Sequence, residues 1–176
     1  MITIETLVKA PLEKVWHAWN TPEDIMKWNS ASDDWHTPSS TVDLRIGGKF
    51  TSRMEAKDGS VGFDFEGTYT KVIPNELIEY SMSDGRKVSV QFVSENEGTR
   101  VIESFDPENE NPEDMQRQGW QAILDNFKKH VESMSGSRPR ETYVCFGFLQ
   151  RRNIRGFFSK KRVMIRSKTG NRTFFI

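Results

Sequence analysis

The sequence predicts an α+β domain in which a curved antiparallel sheet wraps one long C-terminal helix, with two short helices near the N-terminus. Three observations carry this. From Asn111 to Ser133, Met115, Trp120, Ile123, Leu124, Phe127 and Val131 recur at spacings of three and four, so one face of a helix is apolar, while Gln116, Arg117, Asp125, Lys128 and Lys129 fall mostly elsewhere. Between Val42 and Phe105, short runs alternate apolar with polar residues and are separated by Gly and Asn/Asp turn pairs, the signature of a meander. Near the start, Thr21-Pro22-Glu23-Asp24 interrupts one short helical pattern and opens another.

In chain order, Ile2, Ile4 and Val8 alternate with Thr3, Glu5 and Lys9 and make a first strand that Ala10-Pro11 ends. Val15, Trp16 and Trp19 mark one face of a helix over Leu12 to Trp19. Thr21 is placed to cap the second helix, with Pro22 at its first position, Glu23 and Asp24 facing the positive end of the dipole, and Ile25 and Trp28 behind. Asn29 to Ser40, rich in Ser and Asp and carrying Trp35 and His36, reads as a loop. Strands follow on Val42, Leu44 and Ile46; on Phe50, Ser52 and Met54; on Phe63, Phe65, Gly67 and Tyr69; on Ile78, Tyr80 and Met82; on Val88, Val90 and Phe92; and on Val101, Glu103 and Phe105. Gly47-Gly48, Asp58-Gly59, Pro74-Asn75, Asp84-Gly85 and Glu97-Gly98 supply the turns. Asp106 to Asp114 is an acidic connector with the spacing of a calcium loop, but it lacks the central Gly and has Arg117 where the closing Glu belongs, so it reads as a solvated loop. For the long helix, Asn111 is the expected cap and Pro112 the first residue, with Lys128, Lys129 and His130 in the last turn.

The 176 residues suffice for one domain with a sizeable core and an appendage. A net charge of zero conceals a division: residues 1–133 hold 14 Lys and Arg against 24 Asp and Glu, a balance of −10, and residues 134–176 hold 11 against 1, a balance of +10. The start has no basic leader and no run spans a bilayer, so a cytoplasmic location is expected. Cys145 is the only cysteine, which excludes an intramolecular disulfide and a cysteine-cluster zinc site. Gly47-Gly48 and Gly59 to Gly62 lack the spacing of a phosphate or dinucleotide loop. His17, His36 and His130 have no i,i+4 partner, the first and last are expected to face solvent, and no nucleophile pairs with any of them by spacing. No catalytic residue, metal or cofactor is expected.

Ala10-Pro11-Leu12-Glu13-Lys14-Val15-Trp16, Thr21-Pro22-Glu23 with Trp28, Asp43-Leu44-Arg45-Ile46-Gly47-Gly48-Lys49-Phe50, Gly67 with Ile73-Pro74-Asn75-Glu76-Leu77, and Gly119-Trp120 with Leu124 and Phe127 occur in the order seen in the SRPBCC superfamily. Residues 1–133 resemble that superfamily, and most of all its branch named after the activator of the heat-shock-protein-90 ATPase. The resemblance implies a helix-grip fold around a hydrophobic cavity. Its members include lipid and hormone carriers, polyketide cyclases and co-chaperone domains, so fold alone leaves function open.

Trp28, Trp35, Met54, Phe63, Phe65, Tyr69, Tyr80, Met82, Phe92 and Trp120 exceed what one side of a small sheet needs. They either fill the core or in part line a pocket, with Arg45, Glu55, Glu66 and Gln116 as polar groups in its wall. Arg45 serves equally well in a surface ion pair. The candidate ligand-binding set is Trp28, Trp35, His36, Arg45, Met54, Phe65, Tyr80, Met82 and Trp120, with His36 at the cavity mouth. Three functions fit: a carrier or sensor of a small hydrophobic ligand, a chaperone-linked interaction module using the acidic face of the sheet, and a cyclase-like enzyme using His36 and Arg45. The first, non-enzymatic reading is preferred, for a monomer or a homodimer.

Beyond a linker at Met134 to Pro139, Arg151-Arg152, Arg155, Lys160-Lys161-Arg162 and Arg166 interleave with Phe157, Phe158, Phe174 and Phe175. Such a pattern suits RNA or single-stranded nucleic acid, but a segment that pairs with the acidic domain, or one foreign to the family, is the preferred reading. Without an amphipathic period, loose short strands or disorder are expected over 134–176.

Overall fold

Ile2, Ile4 and Val8 project to one face of the first strand and are buried in the core. The computed structural model describes residues 1–135; the basic tail expected to be loose or disordered, with Cys145, lies beyond Ser135 and outside the described residues. Strand β1 (Ile2–Val8) is followed by helices α1 (Leu12–Asn20) and α2 (Pro22–Trp28). The meander comprises β2 (Trp35–Val42), β3 (Lys49–Ala56), β4 (Gly62–Ile73), β5 (Leu77–Met82), β6 (Lys87–Glu95) and β7 (Gly98–Phe105), and α3 (Glu113–Ser135) closes the domain.

The seven strands among the described residues form one curved antiparallel sheet in the order β1-β7-β6-β5-β4-β3-β2. Strand β1 therefore pairs with β7, from Ile2 opposite Phe105 to Val8 opposite Thr99, and α1 and α2 carry the chain from one edge to the other. The close approach of β1 and β7 needs a glycine: at Gly98, where φ is +150°, a Cβ would lie 2.1 Å from the Val8 carbonyl oxygen. Helix α3 packs on β1 and against both short helices, burying Leu124, Phe127 and Val131.

Both edges are blunted. On β1, Arg117 of α3 donates to the Thr3 carbonyl at 2.8 Å, Gln121 donates to that of Glu5 at 3.3 Å, and Glu132 accepts the Lys9 amide at 2.8 Å. On β2, Pro38 has no amide to offer and lies in a register shift between His36 and Ser39. Among the described residues no helix is long and apolar enough to cross a membrane, and no cluster of His, Cys, Asp and Glu could hold a metal ion.

Several local expectations are corrected. Residues 35–42 are an edge strand and not part of a loop, and the strand ends at Val42, leaving Ile46 exposed in the turn before β3. Trp35-His36-Thr37-Pro38-Ser39-Ser40 lacks apolar alternation because an edge strand has little to bury. The Thr21 side chain does not cap α2; its hydroxyl donates back to the His17 carbonyl at 2.7 Å. Helix α3 starts one residue after Pro112, whose carbonyl accepts the first helical amides, and it runs to Ser135, so Lys128, Lys129 and His130 lie inside it. At its start the buried residue is Gln116, and Met115 is exposed. His130 does not face solvent either: its Nε2 lies 2.8 Å from Oδ1 of the buried Asp24, joining α3 to α2. Nearby, Asn126 donates to the Ser30 carbonyl at 2.7 Å.

Candidate functional site

The pleat sends alternate residues of each strand to the same side. On β3 these are Phe50, Ser52 and Met54, on β4 Phe63, Phe65 and Tyr69, and on β5 Ile78, Tyr80 and Met82. They enclose, with Ile25 and Trp28 of α2 and Trp120 and Ile123 of α3, a cavity of about 450 Å³. That volume lies in the range of roughly 300–1,000 Å³ typical of small-molecule sites. Gly67 helps to shape the wall, because a Cβ there would come within 2.7 Å of the Phe50 ring. The rings also brace one another: Phe50 meets Tyr80 edge-on at 4.8 Å between centroids, Phe65 meets Trp120 at 5.9 Å, and Trp120 stacks on Phe105 at 4.0 Å. Trp28 is braced through its indole N–H, which donates to the Ala18 carbonyl at 3.2 Å. Exposed lining residues, among them Phe63, Glu66 and Asp84, mark where the cavity meets solvent.

Most polar groups in this wall are already engaged. Gln116 is buried, but its amide closes the connector before α3: its Oε1 accepts from the Glu108 amide at 2.9 Å, and its Nε2 donates to the carbonyls of Glu108 and Asn111 at 3.0 and 2.8 Å. Arg86 pairs with Asp84 at 2.7 Å, Asp64 with Arg53 at 3.3 Å, and Ser52 with Ser40 at 3.0 Å. Burial, with Asp43 nearby, pushes the Tyr69 hydroxyl up; burial, with Glu103 and Tyr69 nearby, does the same to Tyr80, so both stay neutral.

Glu103 differs. It sits on β7 between Val101 and Phe105, opposite Ile4 of β1 and Val90 of β6, and it is only 6% exposed. No described residue gives its carboxyl a hydrogen bond or an ion pair, and burial alone raises it to about 8. It faces the cavity as a carboxylic acid that is mostly protonated at neutral pH.

The family model described as Activator of Hsp90 ATPase homolog 1-like protein matches residues 9–132. The chain belongs to this family. The solution structure of the AHSA1-like protein from Aeromonas hydrophila is 51% identical, with a TM-score of 0.73, over 76% of this chain and 93% of that one. The solution structure of Chr148 from Cytophaga hutchinsonii is 49% identical, with a TM-score of 0.67, over 80% and 97%. A crystal structure of the Nitrosomonas europaea protein NE0264, 18% identical over 76% and 94%, has a TM-score of 0.66 and shares the fold. No curated protein matches.

Within this AHSA1-like domain, Trp28, Met54, Phe65, Tyr80, Met82 and Trp120 of the sequence-predicted set come together around the cavity. Trp35, His36 and Arg45 do not line it. Trp35 lies behind the wall, its ring 6.0 Å from that of Phe63. His36 is held by Glu55, with Nε2 3.2 Å from Oε1. Arg45 is on the turn between β2 and β3, 70% exposed and paired with Asp43 at 2.9 Å. Of the suggested polar groups, Glu66 and Gln116 reach the wall and Glu55 does not. Sequence reasoning passed over Glu103 as a site residue, although an acid on the same alternating face as Val101 and Phe105 was itself the signal.

Proposed function

We propose that the domain binds a small, largely apolar ligand in the cavity between sheet and α3, as a carrier or sensor. The observation that supports this is the cavity of about 450 Å³ with its wall of aromatic and aliphatic side chains, several of whose rings are held by neighbouring rings and so pre-organised. The rings of Trp28, Phe50, Phe65, Tyr80 and Trp120 offer apolar contact from several elements, and the engaged polar groups leave few demands on a ligand.

Native mass spectrometry of the full chain after mild purification tests this reading. A small-molecule adduct that is lost on denaturation is expected, and Met82→Trp, which fills the cavity from β5, is expected to abolish it. A bare chain that also shows no saturable binding of the neutral fluorophore N-phenyl-1-naphthylamine overturns the reading. The family description supports a second one, a module acting on a chaperone ATPase. Stimulation of such an ATPase by the full chain, weakening with salt, would favour it.

A further inference from the structure

The unpartnered acid in the cavity wall narrows the ligand class. Burying a carboxyl without a partner is costly, and strand neighbours such as Ile4, Val90 and Phe105 offer it none. Gln116, a buried amide of the same lining, is fully committed to residues 108 and 111. The lining as a whole is unbalanced in charge. It holds the carboxyl groups of Asp64, Glu66, Asp84, Glu103 and Glu108 but the single cation Arg86; Arg86 is paired to Asp84, and Asp64 to Arg53 behind the lining. Aromatic faces complete a setting suited to a cation with an apolar body, because ring quadrupoles attract positive charge.

We propose that the cavity takes an organic amine, its apolar body among Trp28, Phe50, Phe65 and Trp120 and its ammonium against the Glu103 carboxylate. This rests on the cavity-binding reading above and goes beyond it by naming the ligand's charged group. Binding exchanges one proton for one cation: the ammonium enters, Glu103 gives up its proton to solvent, and the ion pair replaces a neutral buried acid. Burial alone sets the proton affinity of Glu103 in the free protein. Tyr80 on β5 is neutral, the flanking residues of β1 and β6 are apolar, α3 presents Gln116 and Trp120, and Asp84, Arg86 and Glu108 occupy the wall without shifting it.

The experiment is isothermal titration calorimetry of the full chain with three probes of one length, n-octylamine, n-octanol and n-octanoate, at pH 7 in buffers of different ionisation enthalpy. Octylamine is expected to bind more tightly than octanol, by up to about tenfold at pH 7, since a hydrogen bond to a charged group adds more than the roughly tenfold that deprotonating Glu103 takes back. It is also expected to release close to one proton per molecule bound, and octanol none. In Glu103→Gln, amine preference and proton release should both vanish while octanol still binds, which a merely structural role for Glu103 would not produce. Equal binding of amine and alcohol, preference for octanoate, or retained amine preference in Glu103→Gln overturns the proposal and leaves the cavity reading standing. Failure of all three probes to bind the folded chain overturns both. Should the variant not fold, proton release and probe selectivity of the unaltered chain decide alone.

Discussion

The two ends of the sheet carry the same alternation of apolar and polar residues, yet one is solid and the other hollow. Around β1, β6 and β7, with α1 and the second half of α3, Val8, Val15, Ala18, Val90, Val101, Phe127 and Val131 have no exposure at all. Around β3, β4 and β5, Phe50, Met54, Tyr69 and Tyr80 keep 6–8% and Phe65 and Met82 are half-buried, because their faces border the cavity. The difference lies in what covers them. Helix α1 and α3 press directly on β6, β7 and β1, whereas the hollow end is roofed by separated side chains such as Trp28, Trp120 and Ile123. Alternation tells which face of a strand is inside; it does not tell whether the inside is full.

Truncation at the solid end breaks this comparison most strongly. Phe127 packs against Trp19 and Trp28 at 4.8 and 5.0 Å, so Phe127→Ala is expected to cost about 3–5 kcal/mol in urea unfolding. Phe65→Ala, facing space that already exists, is expected to cost no more than about 2 kcal/mol and to change probe affinity instead. Equal costs would mean that the two ends are equally packed.

Glu103 gives the next largest effect. Its carboxyl titrates at about 8 in the folded chain against 4.5 ordinarily, so between those values the native state holds a proton that the unfolded chain has lost. Stability therefore falls as pH rises through that window and levels off above it. Glu103→Gln removes this slope, and the variant should gain on the parent by roughly a few kcal/mol at pH 9 relative to pH 4. The difference between the two unfolding curves measures it, since contributions of other carboxylates cancel; parallel curves would place Glu103 in water. The smallest effect belongs to Arg45→Ala, on the exposed turn between β2 and β3. Its stability should stay within about 0.5 kcal/mol and its octanol affinity unchanged, whereas a loss of affinity would extend the site beyond the cavity.

The long helix, the strands from β3 to β7 and the two short helices were legible because each buries one face, and burial imposes its period on the residues. Edge strand β2 was not, since Pro38 and Ser39 are exposed and its one fully buried residue, Thr37, is polar. Met54, Phe65, Tyr80 and Trp120 could be named for the site because a concave face must be apolar. His36 and Arg45 were drawn in by their chemistry alone, which says nothing of direction. The bond between Asp24 and His130 spans 106 residues and leaves no local trace. Glu103 was visible in the pattern, but its isolation became plain only once Gln116 was found occupied elsewhere.

The pairing of β1 with β7 also sets an order of events during synthesis. Ile2 leaves the ribosome about a hundred residues before its partner Phe105, and at roughly 5–20 residues per second the wait is on the order of 5–20 s. Through that interval Ile2, Ile4 and Val8 have neither β7 nor α3 to shelter them, although the hairpins from β2 to β6 can already zip up between near neighbours. The nascent chain thus exposes the apolar face of β1 until β7 and α3 emerge to cover it.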